Sequence, residues 1–138
     1  MNPSSSPSPT VDLDSAFFWE GLREQELRLQ RCQGCREHRF PPLPSCPDCG
    51  HTSSEVVRSP GRGTLYSWIV VHRAFSDAFS DDVPYTVGVV ELEEGCRMLA
   101  RIEAEPAHIG MALQPRFVLH DDWCELRFIA ADGKRERA

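Results

Sequence analysis

The hydrophobic positions of this chain change their period partway along it, and each period predicts a different kind of element. In DSAFFWEGLREQELRLQRC, Phe18, Trp19 and Leu22 fall at i, i+1 and i+4, one apolar stripe behind Asp14 or Ser15 as a cap, so a short helix is predicted. Leu27 and Leu29 then alternate into Cys32, the pattern of a strand. The aromatic run Phe17, Phe18 and Trp19 either packs on its own domain or docks a partner, because three adjacent side chains of a helix cannot all face one core.

Beyond residue 60 the period is two. GTLYSWIVVHR (63–73), YTVGVVEL (85–92), RMLARIEA (97–104), PRFVLHD (115–121) and ELRFIAA (125–131) are five candidate strands rich in β-branched and aromatic residues and separated by turn signals, of which LEEGC is the tightest. Strict alternation in the first puts Leu65, Ser67, Ile69 and Val71 on one face and Tyr66, Trp68, Val70 and His72 on the other. Both faces are apolar, which predicts a strand covered on both sides. Gly88, in mid-strand, suits a bulge or a sharp bend at a barrel corner. Five short strands in about 70 residues predict a mainly β fold with a five-stranded barrel of the OB type, and a small β-sandwich is the competing architecture.

Between helix and barrel, CQGCREHRFPPLPSCPDCG places Cys32, Cys35, Cys46 and Cys49 in two CxxC pairs. Each pair can bring two sulfurs to one ion, and Gly34 and Gly50 supply the turns typical of zinc knuckles. Four thiolates close a tetrahedral zinc site and leave no position for water or substrate, so the metal is expected to be structural. A rubredoxin-type iron centre uses the same donors and stays open as an alternative. His38 and His51 lie near the knuckles and, with four thiolates available, are expected outside the coordination shell. The divisions that follow are a leader at 1–13, the helix and lead-in strand at 14–30, a zinc ribbon at 31–57, the barrel at 58–131 and a tail at 132–138. The leader, MNPSSSPSPT, lacks apolar anchors and is expected to be disordered.

Length and charge narrow the function. The chain has 138 residues, 41% of them hydrophobic, enough for one or two small cores. No stretch approaches the roughly 20 apolar residues that span a bilayer, and no basic region followed by an apolar run opens the chain, so a cytoplasmic protein with reduced cysteines is expected. The formal net charge of −6 weighs against nucleic acid and anionic membranes as partners. Glu91, Glu93, Glu94, Glu103 and Glu105 crowd the second and third barrel strands, and the one lysine is Lys134. A single-stranded nucleic-acid-binding OB module is therefore an alternative resting on fold analogy.

A self-contained enzyme is another alternative. Asp81 with Asp82, Glu93 with Glu94 and Asp121 with Asp122 are paired carboxylates, which can divide acid and base roles when their environments differ, but all sit at turn-like positions where solvated carboxylates are usual. Cys96 and Cys124 would need an activating base to be nucleophiles, and His120 lies four residues from Cys124 across a strand junction. No catalytic residue is assigned.

Taken in order, FWEGL, RCQGCREHRFPPLPSCPDCG, GRGTLYSWIVVHR, PYTVGVVELEEG and HIGMAL resemble the family of zinc-ribbon OB-fold proteins associated with acyl-CoA metabolism, long catalogued as a domain of unknown function. The likeness covers roughly residues 14–131 and rests on the whole set, above all Arg-Phe-Pro-Pro between the knuckles and Gly-Arg-Gly-Thr at the barrel's start. It implies a rubredoxin-like ribbon with Cys32, Cys35, Cys46 and Cys49 as zinc ligands. It further implies a non-catalytic accessory subunit beside a thiolase-like condensing enzyme, aldolase or acyltransferase, or a hot-dog-fold enoyl-CoA hydratase, with CoA or acyl-CoA as a ligand. The loop AFSDAFSDDVPY, which repeats itself locally and lengthens the first hairpin, departs from the family pattern.

A CoA site would need arginines for its phosphates and an aromatic face for adenine or the pantetheine arm. Arg39, Arg62 and Arg73, with Trp68 as an apolar wall, are the candidates nearest the family-like segments. Each arginine alone is also what an ordinary solvated surface charge looks like.

Overall fold

The computed structural model describes residues 8–74 and 76–131. The start of the predicted leader and the whole of the predicted tail lie outside them.

One helix, α1 (Ala16–Arg23), opens the folded part. Its cap differs from expectation: Ser15 makes no side-chain cap bond within the helix, and its amide instead donates to Asp12 Oδ1 at 2.9 Å. Phe18 and Leu22 are buried as the stripe predicts. Phe18 and Trp19 touch edge to face, ring centroids 5.0 Å apart, and reach different further partners. Phe18 packs on Phe40, ring centroids 5.2 Å apart, whereas Trp19 meets Trp123 edge to face at 6.1 Å. The aromatic run thus packs within the chain.

After α1 come β1 (Leu27–Cys32), β2 (His38–Arg39) and β3 (Ser54–Ser59), which form an antiparallel sheet in the order β2-β1-β3. Leu27 and Leu29, alternating on β1, turn into the common core. The remaining strands are β4 (Gly63–Val71), β5 (Tyr85–Leu92), β6 (Arg97–Glu103), β7 (Ala112–Leu119) and β8 (Cys124–Ala130). They close into a barrel in the order β4-β5-β6-β8-β7, with β6 and β8 parallel and the other pairs antiparallel. Inward positions Leu65, Val90, Met98, Ile102, Leu113, Leu126 and Phe128 are all buried. No helix among the described residues is long and apolar enough to cross a membrane.

Strict alternation fails on β4. Its register against β5 slips between Leu65 and Ser67, so that Leu65 opposes Val90 while Trp68 opposes Gly88 and Val70 opposes Thr86. Directly opposed residues share a face, so Trp68 and Val70 lie on the side of Leu65, and Ile69 and Val71 lie on the other. One extra residue in a bulge reverses the faces assigned by counting. Gly88 sits across from this bulged strand, where an added Cβ would stand 2.7 Å from Leu65 Cδ1 and 2.8 Å from Ile102 Cγ1. Its role is room for inward side chains. The outer half of β4 also differs from expectation: Tyr66, Trp68, Ile69 and Val70 are exposed. The barrel covers β4 only at its start, where Gly63 and Thr64 pair with β7.

Candidate metal centre and ligand groove

Cys32 ends β1, Cys35 follows one tight turn later, and Cys46 and Cys49 come from the second knuckle. The topology brings all four sulfurs within 4.8 Å of one another. The Cys32 and Cys49 sulfurs are 3.6 Å apart and those of Cys35 and Cys46 are 3.7 Å apart, far beyond a disulfide. A tetrahedron with Zn–S bonds of about 2.3 Å has edges of roughly 3.8 Å, which the Cys32–Cys49 and Cys35–Cys46 separations match.

The backbone is already turned toward the sulfurs. The Gly34 and Cys35 amides donate to Cys32 Sγ at 3.3 and 3.5 Å, and the Asp48 amide donates to Cys46 Sγ at 3.4 Å. Gly50 follows with φ of 81°, the left-handed turn that closes the second knuckle. The Cys35 amide, with that of Gly34, pulls the Cys32 thiol down to about 6 against the opposing effect of burial. Cys46 is lowered likewise, first by the Cys49 amide. Cys35 goes the other way, up to about 12: the Glu37 amide lowers it, but burial and the three neighbouring sulfurs outweigh that. Four crowded sulfurs need a cation before all can be thiolates, which is what a zinc held by Cys32, Cys35, Cys46 and Cys49 would supply. His51 packs against Gly34 and its Nδ1 accepts from the Ser53 amide at 3.1 Å, and His38 pairs across β1 with Arg31.

The arginines named from the sequence do not converge. Arg39 is buried, with Nε donating to Gln30 Oε1 at 3.2 Å and Nη2 donating to the Leu43 carbonyl at 3.0 Å. Gln30 in turn donates to that carbonyl and accepts from the Leu43 amide. In this arrangement Arg39 ties the proline stretch to β1. Arg62 and Arg73 are exposed but flank opposite ends of β4, so at about 3.3 Å per residue they stand roughly 30 Å apart. Trp68 lies between them on the exposed half of that strand.

Sequence reasoning did not find the groove that forms where helix, ribbon and barrel meet. It has a volume of about 610 Å³, its walls include Trp19, Phe40, Leu99 and Trp123, and its charged groups are Arg101 with the three carboxylates Asp12, Asp14 and Glu125. The Arg101 guanidinium lies 4.0 Å over the Tyr85 ring and pairs with Asp82 at 3.2 Å. The available signals were the FPPLP run and the two arginines of RMLAR, four residues apart and thus on one strand face.

Behind the groove runs a charged network. Arg127 donates to Glu103 at 2.8 Å and to Glu125 at 2.9 Å. Arg116 also pairs with Glu103, and His120 Nε2 lies 2.9 Å from Glu125 Oε1. Burial alone would raise both carboxyls, but the bonds from Arg127 with Arg116, and from Arg127 with His120, hold Glu103 and Glu125 below the ordinary carboxylate range. A carboxyl lowered in the folded state adds stability that is complete above its unfolded value, about 4.3, and is lost as pH falls through the folded value. Urea midpoints measured from neutral pH down to about 3 should therefore fall less steeply for Glu103→Gln than for the unaltered chain. Parallel slopes would contradict the assignment.

Of the paired carboxylates, Glu93 is exposed and Glu94 half-buried in the turn between β5 and β6. Asp81, Asp82, Asp121 and Asp122 are exposed at turns. Burial, followed by the Glu94 charge, pushes the Cys96 thiol up to about 11, and burial followed by Glu125 raises Cys124. Both shifts run opposite to nucleophile activation.

Comparison with known proteins agrees with the two-part build. Residues 19–55 match the family described as ChsH2, rubredoxin-like zinc ribbon domain, and residues 56–118 match ChsH2, C-terminal OB-fold domain. A protein of Thermomonospora curvata named as a probable enoyl-CoA hydratase alpha subunit is 39% identical over 86% of this chain, but the match spans 36% of that relative. The chain thus spans little more than a third of such hydratase subunits. A DUF35 domain-containing scaffold protein of Methanocaldococcus jannaschii is 34% identical over 72% of this chain and 73% of its own length. The benzoylsuccinyl-CoA thiolase subunit BbsA of Thauera aromatica is 33% identical over 77% of this chain and 75% of its own. Among solved structures, a chain of the Ltp2-ChsH2(DUF35) aldolase superposes with a TM-score of 0.80 at 34% identity, covering 90% of this chain and 99% of that one. With its four-sulfur cage, its mainly β build and a DUF35 relative matched over 73% of that relative's length, the chain belongs to the DUF35 family of zinc-ribbon OB-fold proteins.

Proposed function

We propose that this chain is a non-catalytic accessory subunit that docks on a CoA-dependent enzyme and helps bind or position an acyl-CoA. The observation that carries this reading is the likeness, over three quarters of its length, to a named subunit of a CoA thiolase. Likeness to a chain of an aldolase complex and to hydratase alpha subunits extends the partner class to thiolase-like enzymes, aldolases and hydratases. The metal cage supports the same reading, because four thiolates give a zinc ion no open position for chemistry. In the proposed division, residues 14–30 join a ribbon at 31–57 to a barrel at 58–131, in a cytoplasmic protein that engages neither nucleic acid nor membrane.

The apolar groove beside Arg101 is the place we assign to the acyl or pantetheine portion, since its aromatic walls suit an apolar arm and a guanidinium suits an anion. Arg62 or Arg73 would then take a phosphate at one end of β4, with Trp68 on the strand between them. Because the two arginines stand far apart, they are tested separately. Charge reversal at the one that meets CoA should weaken CoA binding in the assembled complex about tenfold or more. Unchanged affinity with both Arg62→Glu and Arg73→Glu would remove β4 from the site and leave the Arg101 groove as the candidate.

A further inference from the structure

The two sheets treat their edges differently. In the ribbon sheet one edge, β2, is only two residues long, and the other, β3, carries Glu55 and Arg58. Short and charged edges of this kind resist pairing with other chains. The barrel has no such protection along the outer half of β4. From Ser67 to Val71 this strand pairs with β5 on one side, Tyr66 being the bulged residue, and no described strand pairs the other side of 66–71. The six residues YSWIVV contain no charge and no proline, and the facing β5 segment YTVGVV contains no charge either. Ile69 is 63% exposed, and Tyr66, Trp68 and Val70 are exposed with it.

Such a ribbon is marginal on its own and its bare edge is a template for another strand. The strand it would accept must be extended, uncharged and rich in β-branched or aromatic residues, and this chain carries one: the same segment in a second copy.

We propose that β4 pairs antiparallel with β4 of a second copy, making a two-fold dimer in which the two barrels share one continuous sheet. A two-fold axis through Ile69 sets Trp68 against Val70 and Ser67 against Val71, so the pairing opposes no like charges. The edge length, six residues, is that of an ordinary strand. This surface is separate from the zinc cage and from the Arg101 groove, but it takes Trp68 of β4 for the second copy and so away from a CoA site on that strand.

Sedimentation velocity of the full zinc-loaded chain over a wide concentration range tests the pairing. The dimer is expected for the unaltered chain and for Leu119→Lys, which places the same charge at another exposed apolar site, and is expected to be lost in Ile69→Lys. Amide exchange on the unaltered chain gives a second readout free of any folding defect: protection of Tyr66 to Val71 should fall on dilution, while protection in β6 and β8 should not. A chain that stays monomeric, an Ile69→Lys variant that still dimerises, or exchange in β4 that ignores dilution overturns the proposal. If the chain is a monomer and Ile69→Lys instead releases a CoA-dependent enzyme, the edge belongs to that enzyme and self-pairing is again overturned.

Discussion

Cys46→Ser should release the zinc and unfold the ribbon. Cys46 is 4% exposed, its sulfur lies 3.7 Å from that of Cys35, and the Asp48 amide already donates to it. Structural zinc supplies on the order of 10 kcal/mol of apparent binding free energy in modules of this kind, about as much as a whole domain's net stability. A serine hydroxyl stays protonated and cannot replace the thiolate. Amide exchange should therefore rise throughout β1, β2 and β3, and a strong chelator should do the same to the unaltered chain. The effect should reach α1 as well, because Leu27 and Leu29 of β1 share a core with Phe18 and Leu22. A zinc-free variant with unchanged protection would contradict a metal that holds the ribbon together.

The second large effect belongs to the barrel. Phe128 is fully buried on β8, opposite Ile102 of β6 and Pro115 of β7. Phe128→Ala removes a ring from the centre of the closed sheet, where neighbouring backbones are held by pairing on both sides and cannot collapse into the space. Such truncations cost about 3–5 kcal/mol. Since domains of this size have roughly 5–15 kcal/mol in hand, the urea midpoint should fall by a large fraction of its value. Zinc content should stay at one ion per chain, because the cage draws its ligands from the ribbon alone. A loss of stability of less than about 1 kcal/mol would mean that Phe128 is not at the centre of the core.

How far the sequence carried each of these features depends on whether its cause is local. The knuckles are local: a metal needs its donors at fixed short spacings, and the four cysteines stand at those spacings in the chain. Tyr85–Leu92 was legible to the residue because its run of β-branched and apolar residues is bounded by Pro84 on one side and Glu93, Glu94 and Gly95 on the other. β7 was not. It begins at Ala112, three residues before the segment PRFVLHD, because Ala112 and Leu113 pair with Thr64 and Gly63 of a strand some fifty residues earlier. The faces of β4 were misassigned for a similar reason, since a bulge is set by what lies across the ladder and leaves no mark in the count.

Arg39 shows the limit for sites. An arginine between two knuckles looks available for a phosphate, yet Gln30 and the Leu43 carbonyl claim two of its nitrogens, and neither partner is identifiable without the fold. The groove beside Arg101 is assembled from the helix, the proline stretch, β6 and β8, four segments whose meeting is a property of the tertiary structure. Trp19 and Trp123 were visible one by one, but their contact across a hundred residues was not.

The central claim, an accessory subunit held together by zinc and working on a CoA-dependent enzyme, is tested most directly by native mass spectrometry of the protein purified gently from its own cells. The account predicts one zinc per copy and a stoichiometric complex with a thiolase-like, aldolase or hydratase chain, whose mass shifts on adding CoA. A zinc protein that carries no enzyme chain and shows no CoA-dependent shift would contradict it.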